Sequence, residues 1–297
     1  MDNLIDVVGL QEIVERVPKA LQSTNFEQLY SNVYTDNPNS KVVKEINVKV
    51  YEYFKGLELP DEPTIYDYLV LSLRSKDLIA TYNWDPFLYQ AWVRNNIGER
   101  PYLAFLHGNV AIGYSEADDR CGPVGYYSKA TGSKLEPTQL LYPVAQKNYN
   151  QDKFIKNEWD RIRLWLSKES TTVRATIFGY GAPATDVEAV SLMNQAWGSS
   201  HERNMEQFEM IDVRSEKDLT ETWKGFIHSH HYDYCTNYFD SVLAYFPRRT
   251  SDAYFRAYQA LTPAEMFQEP NPVPQDFKTL EEMHEWFKPL IEAEKKK

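Results

Sequence analysis

Two short apolar runs that each end in polar residues constrain this chain more than any other feature. They are DLIATYNWD, ending at Asp85, and YLAFLHGNV, which carries His107. Leu78, Ile79 and Thr81 give the first run strand character before it turns polar at Asn83 and Asp85. Leu103, Phe105 and Leu106 do the same for the second, which breaks at His107 and Gly108. The stretch between them has room for a helix, and a strand-helix-strand crossover implies parallel pairing. In an open parallel sheet, polar groups placed just past the carboxyl ends of adjacent strands converge on the crevice where ligands bind.

The order of these motifs resembles the nucleotide-binding core of sirtuin-like proteins, in particular the bacterial sirtuin-like domains that hydrolyse NAD. ATIFGYGAPATD, from Ala175 to Asp186, resembles the family's next strand, glycine turn and helix, and FEMIDVR, ending at Arg214, resembles the strand after that. The resemblance spans roughly residues 60 to 250. It implies an α/β fold with a Rossmann-like parallel sheet flanked by helices, and NAD as ligand or substrate. It also implies a site in which His107 is the base while Asn83, helped by Asp85, orients water or ribose. Thr81, Gly108, Gly179, Tyr180, Gly181 and Asp212 fall where the cofactor would lie. The nicotinamide is a good leaving group, so hydrolysis needs a fixed ribose, a held water and a base that titrates near neutrality. The bacterial relatives further suggest NAD depletion in defence.

Each of these residues has a plainer reading beside the chemical one. Asp85 before Pro86 suits a helix cap, Asn83 can tie down a corner through its side chain, and His107 can be a hydrogen-bonded strand-end residue. A Gly-Tyr-Gly turn also packs tightly with no ligand present.

Two departures from the family stand out. No glycine-rich loop of the GAGxS kind occurs, since Gly9 and Gly56 are isolated. The resemblance then implies that Met1 lies downstream of the true start or that the phosphate clamp has been lost. The second case would leave a catalytically silent binding or assembly module, with an apolar sheet edge that a protein partner or a second copy covers. Zinc is not expected either: the only cysteines are Cys121 and Cys235, and YYSKATGSKLEP carries Ser128 and Thr131 where a zinc knuckle would need cysteines. FIHSHHYDYC contains His228, His230, His231, Asp233 and Cys235, yet matches no metal-site spacing, and packing among aromatics is the favoured reading. Arg248 and Arg249 are expected to pair with acidic neighbours, with contact to a phosphate as the alternative.

Composition narrows the classes that remain. The 297 residues are 42% hydrophobic, with 21 Tyr, 14 Phe and 7 Trp, which is a core-forming mixture. A net charge of -11 opposes binding to a phosphate backbone, so nucleic acid is not an expected partner. Two distant cysteines, an acidic start and no long apolar run point to a cytoplasmic protein without a membrane span.

Periodicity divides the chain into a helical segment over 1–76, a core over 77–250 and a helical extension over 251–297. In the first, Val43, Ile46, Val50 and Phe54 share a helix face, and Thr64 with Asp67 forms a capping-box pattern. Within the core, 108–152 reads as a long loop or small inserted subdomain over the site. Ile155, Trp159, Ile162 and Leu166 mark an amphipathic helix after it. Val190, Met193 and Trp197 stripe another, begun by Thr185 and Glu188. Thr262 and Thr279 are read as helix starts in the extension.

Overall fold

The computed structural model describes residues 3–144, 149–150, 152–182, 186–199, 201–202, 207–227, 232–251 and 270–295. The expected helix starts at Thr185 and Thr262 and the histidines of the 228–231 run lie outside them.

The N-terminal segment is helical, as its periodicity predicts: α1 (Leu4–Val7), α2 (Gln11–Arg16), α3 (Phe26–Asp36) and α4 (Lys41–Lys55). Asn25 and Ser40 cap α3 and α4 through their side chains, and α4 buries Val43, Ile46 and Val50. These helices close over Trp84, Val110 and Leu140 of the following core, which fixes the segment against it. Next, α5 (Ile65–Ser72) starts with the Thr64–Asp67 capping box read from the sequence.

The core alternates strands and helices. β1 (Leu78–Thr81), α6 (Phe87–Arg94) and β2 (Tyr102–Phe105) form one crossover, with β1 and β2 parallel and Leu78 opposite Tyr102. After α7 (Lys153–Leu166), β6 (Arg174–Phe178), α8 (Val187–Trp197), β7 (Gln207–Ile211), α9 (Glu216–Thr222) and β8 (Tyr232–Cys235) build a second parallel sheet in the order β6-β7-β8. The fold is therefore mixed α/β, but the parallel strands form two small sheets where a single continuous one was expected. The two sheets nevertheless share their packing. On one face Leu78, Ala104, Ile177 and Phe208 lie in the same apolar cluster with Trp159 of α7 and Met193 of α8. On the other face Ile79 and Ile211 lie together against α5, α10 (Val242–Tyr245) and α11 (Leu280–Glu294).

Residues 112–137 contain a small sheet of their own. β3 (Ile112–Ser115), β4 (Arg120–Pro123) and β5 (Glu136–Pro137) make an antiparallel sheet in the order β4-β3-β5. Gly113 permits it, because a Cβ there would stand 2.6 Å from the Leu135 carbonyl oxygen.

The outer edge of β2 is closed by side chains. The amide of Phe105 donates to the Glu158 carboxylate at 2.8 Å, and Arg161, paired with Glu158, donates to the Leu103 carbonyl at 3.3 Å. Glu158 is only 2% exposed, so α7 supplies a donor and an acceptor where a further strand would otherwise pair. No helix among the described residues is long and apolar enough to cross a membrane.

Candidate functional site

The corner after β1 is held by local bonds. The Thr81 hydroxyl accepts from the Asn83 amide at 3.0 Å, and the Asp85 carboxylate accepts from the Phe87 amide at 3.1 Å. Asp85 thus holds the first residue of α6 from just before its N-cap, Pro86, and burial pushes its carboxyl above the usual range. Asn109, fully buried after β2, ties the two strand ends together by donating to the carbonyls of Asp85 at 2.6 Å and Asn83 at 3.3 Å.

Tyr82 delivers the chemistry of this corner inward. Its ring lies flat on Tyr180, the second residue past β6, with centroids 4.0 Å apart and planes at 7°. The same ring meets His107 edge-on at 4.8 Å, and its hydroxyl donates to the sulfur of Met193. His107 is 5% exposed, and its Nε2 lies 3.4 Å from the Tyr149 hydroxyl oxygen. Tyr180 donates to the buried Asp186 carboxylate at 2.9 Å, at the start of α8 where an acid complements the helix dipole. Burial, with the neighbouring Tyr149 hydroxyl and Asp186 carboxylate, drives the Tyr82 hydroxyl well above its ordinary pKa. Burial raises Tyr149 and Tyr180 as well, with Asp186 contributing to both. All three are phenols at neutral pH, and Tyr82 and Tyr180 act as donors. The result is a buried pocket of polarity made of His107, Asp186 and three tyrosine hydroxyls, roofed by a stacked ring pair.

The Asn83 side chain is exposed and shares a hydrogen bond with Tyr66, whose phenol burial and nearby Asp85 push up to about 12.

The expected cofactor residues are placed as follows. Gly179 has φ +62 and makes the turn after β6. The carbonyls of Tyr180 and Gly181 accept from Arg214 at 3.2 and 3.3 Å, while Asp212 pairs with that guanidinium at 2.8 Å. The hydrogen bond from Arg214 holds the Asp212 carboxyl below its ordinary range, so Asp212 orients Arg214 over the turn. Gly108 has φ +77, and a Cβ there would lie 2.0 Å from the Gln139 carbonyl oxygen, so its glycine is needed for close backbone packing.

Ser128 and Thr131 both donate to the Asp118 carboxylate, and no group of three metal-capable residues occurs among the described residues. A cleft of about 370 Å³ lined by Arg163, Lys168, Trp197 and Glu202 and another of about 470 Å³ lined by Arg16, Lys44 and Val48 include none of the expected site residues. Sequence reasoning missed Tyr82, Asn109, Tyr149 and Asp186. An acidic residue directly before the α8 stripe was a legible signal for Asp186. Tyr82 reads as core within its apolar run, and Tyr149 follows no periodic pattern.

No family model matches the chain, and no curated protein matches it in sequence.

Proposed function

We propose that this chain is a sirtuin-like, Rossmann-like unit that takes NAD, or a nucleotide derived from it, where β1 and β6 end. The observation that carries the reading is the contact between Tyr82 and Tyr180, which adjoins the carboxyl ends of two parallel sheets. β1 and β2 form one sheet and β6, β7 and β8 another, and we read their junction as the point where one strand order reverses. A reversal of this kind is where open α/β sheets bind their ligands. His107 and Asp186 stand at the same place, and an imidazole beside a phenol is a group that can take the proton of an attacking water.

In this reading a planar ring of the ligand displaces Tyr180 from Tyr82, and His107 then serves the water that attacks the ribose carbon as nicotinamide leaves. Asn83, Asp85 and Thr81 shape the corner that carries Tyr82. Gly179, Gly181 and the Asp212–Arg214 pair set the turn that carries Tyr180. A cytoplasmic enzyme of this type would deplete NAD, as the bacterial relatives that the sequence resembles do.

The second reading is a catalytically silent binding or assembly module. It is favoured by the sealing of His107 beneath the ring pair and by the exposed Asn83 side chain, which bonds to Tyr66.

Two measurements on the purified chain separate the readings. Ligand-observed NMR reports NAD binding, and free nicotinamide reports hydrolysis. The enzyme reading expects both, with release falling by about 10²-fold or more in His107→Ala, the usual contribution of a positioned base. Equal release from the variant removes His107 from the role. Binding without release selects the silent module, and absence of binding rejects the nucleotide altogether.

A further inference from the structure

Tyr180 is held in place from two sides. Inside, its ring lies on Tyr82 and its hydroxyl donates to Asp186. Outside, Arg214 holds its backbone: Nη2 donates to the Tyr180 carbonyl at 3.2 Å and Nη1 to the Gly181 carbonyl at 3.3 Å. The guanidinium itself is anchored elsewhere, on the Asp212 carboxylate, through Nε at 3.1 Å and Nη2 at 2.8 Å. The Arg214 carbonyl accepts from the Tyr234 hydroxyl at 2.7 Å, which ties the residue to β8 as well. The turn that Arg214 grips lies at the surface, with Gly179 and Gly181 exposed, and Ala182 takes φ +44, a conformation that residues with a side chain rarely adopt.

The two sets of bonds are unequal. Those to Asp212 join opposite charges, whereas those to the turn are long and end on neutral carbonyls, so they are the ones an incoming oxyanion can replace. The Arg214 side chain is 33% exposed, which leaves it open to such a group. We infer that Arg214 is an anion-operated latch: a phosphate group arriving just past β7 takes Nη1 and Nη2 from the turn carbonyls, and the released turn lifts Tyr180 off Tyr82 and opens the way to His107. Asp212 keeps the guanidinium in position through the exchange. It also repels the incoming charge, so a lone halide gains little, and the latch answers to a group that offers two oxygens to two nitrogens. The identity of the anion as the pyrophosphate of a nucleotide rests on the reading above; the latch itself rests on the distances around Arg214.

The rate at which diethyl pyrocarbonate modifies His107 in the full chain, mapped by peptide mass spectrometry, tests the latch with inorganic pyrophosphate as probe. His107 is 5% exposed, so its rate follows the population of the open turn. Saturating pyrophosphate should speed the reaction by about ten-fold, the effect of losing two weak hydrogen bonds, and sodium chloride at equal ionic strength should not. Arg214→Met keeps the stem without the donors, so it should react as fast with no pyrophosphate present and gain nothing when it is added. His284, bonded to Asn95 on α11, serves as the reference, with a rate that stays constant in every arm. An unchanged His107 rate with pyrophosphate, an equal rise with sodium chloride, or a parallel rise at His284 in the parent chain would overturn the latch. These arms need no variant, so they decide even if Arg214→Met fails to fold by circular dichroism. Ligand-observed NMR with NAD separates the latch from the reading it rests on. NAD binding with no response of His107 to pyrophosphate removes the latch and leaves the nucleotide; a response to pyrophosphate without NAD binding does the reverse.

Discussion

At the scale of single residues, the ring pair and the buried acid beneath it decide what the site can do. Tyr180→Phe keeps the stack but removes one hydrogen bond to the Asp186 carboxylate, so we expect a loss of about 1 kcal/mol in urea denaturation, the net contribution of a single hydrogen bond. Tyr180→Ala should instead uncover His107, and reaction of its imidazole with diethyl pyrocarbonate should speed up relative to the parent chain. Unchanged reactivity would show that the ring pair does not seal the imidazole. Part of this was legible in the sequence: a short acid before proline marks a helix start, and Asp85 accepts from the Phe87 amide there. The surroundings of Asn83 were not legible, because a motif fixes spacing along the chain but not the direction of a side chain. One residue of register places a group on the opposite side of a strand, and the partner that settles the register, here His107 against Tyr82, is distant in sequence.

At the scale of elements, caps and edges carry most of the specification. Burial pushes the Asp67 carboxyl up, but bonds from Arg94, Thr64 and Asn95 outweigh it and hold it below its ordinary range. Its folded pKa therefore lies under the unfolded one of about 3.9, so its contribution is present above that value and fades as pH falls through the folded pKa. Asp67→Asn should lose about 3 kcal/mol near neutral pH, with the gap to the parent closing below about pH 4. Titrating unfolding midpoints against pH checks this. Glu158→Leu should cost about 2 kcal/mol by leaving the Phe105 amide without a partner. It should also increase self-association in sedimentation, because the edge of β2 is then open. The helix stripes of α4 and α7 were readable because their period reports one buried face. The β3-β4-β5 sheet was only half readable, as its strands are too short for alternation to register and depend on contacts such as Gly113 under Leu135.

At the scale of the whole molecule, Arg248 is the tie between distant parts. It is 2% exposed, takes φ +65, pairs with Glu294 of α11 and donates to the carbonyls of Leu71, Leu73 and Glu99. Arg248→Ala leaves these acceptors buried, so we expect a loss of about 3–5 kcal/mol and faster hydrogen exchange along α11. Stability equal to the parent would show that α11 docks by its apolar face alone. The sequence anticipated an acidic partner for this arginine but had no means of naming one 46 residues away. By itself the sequence determined the alternation of strands and helices, the buried helix faces and the caps, because these depend on neighbours within a few positions along the chain. Only the tertiary structure decided that the parallel strands form two sheets, that Tyr82 meets His107, and that α7 closes one edge. Those outcomes are set by hydrogen bonds and ring contacts between residues far apart in sequence, and no local pattern encodes which of several apolar segments will become neighbours in space.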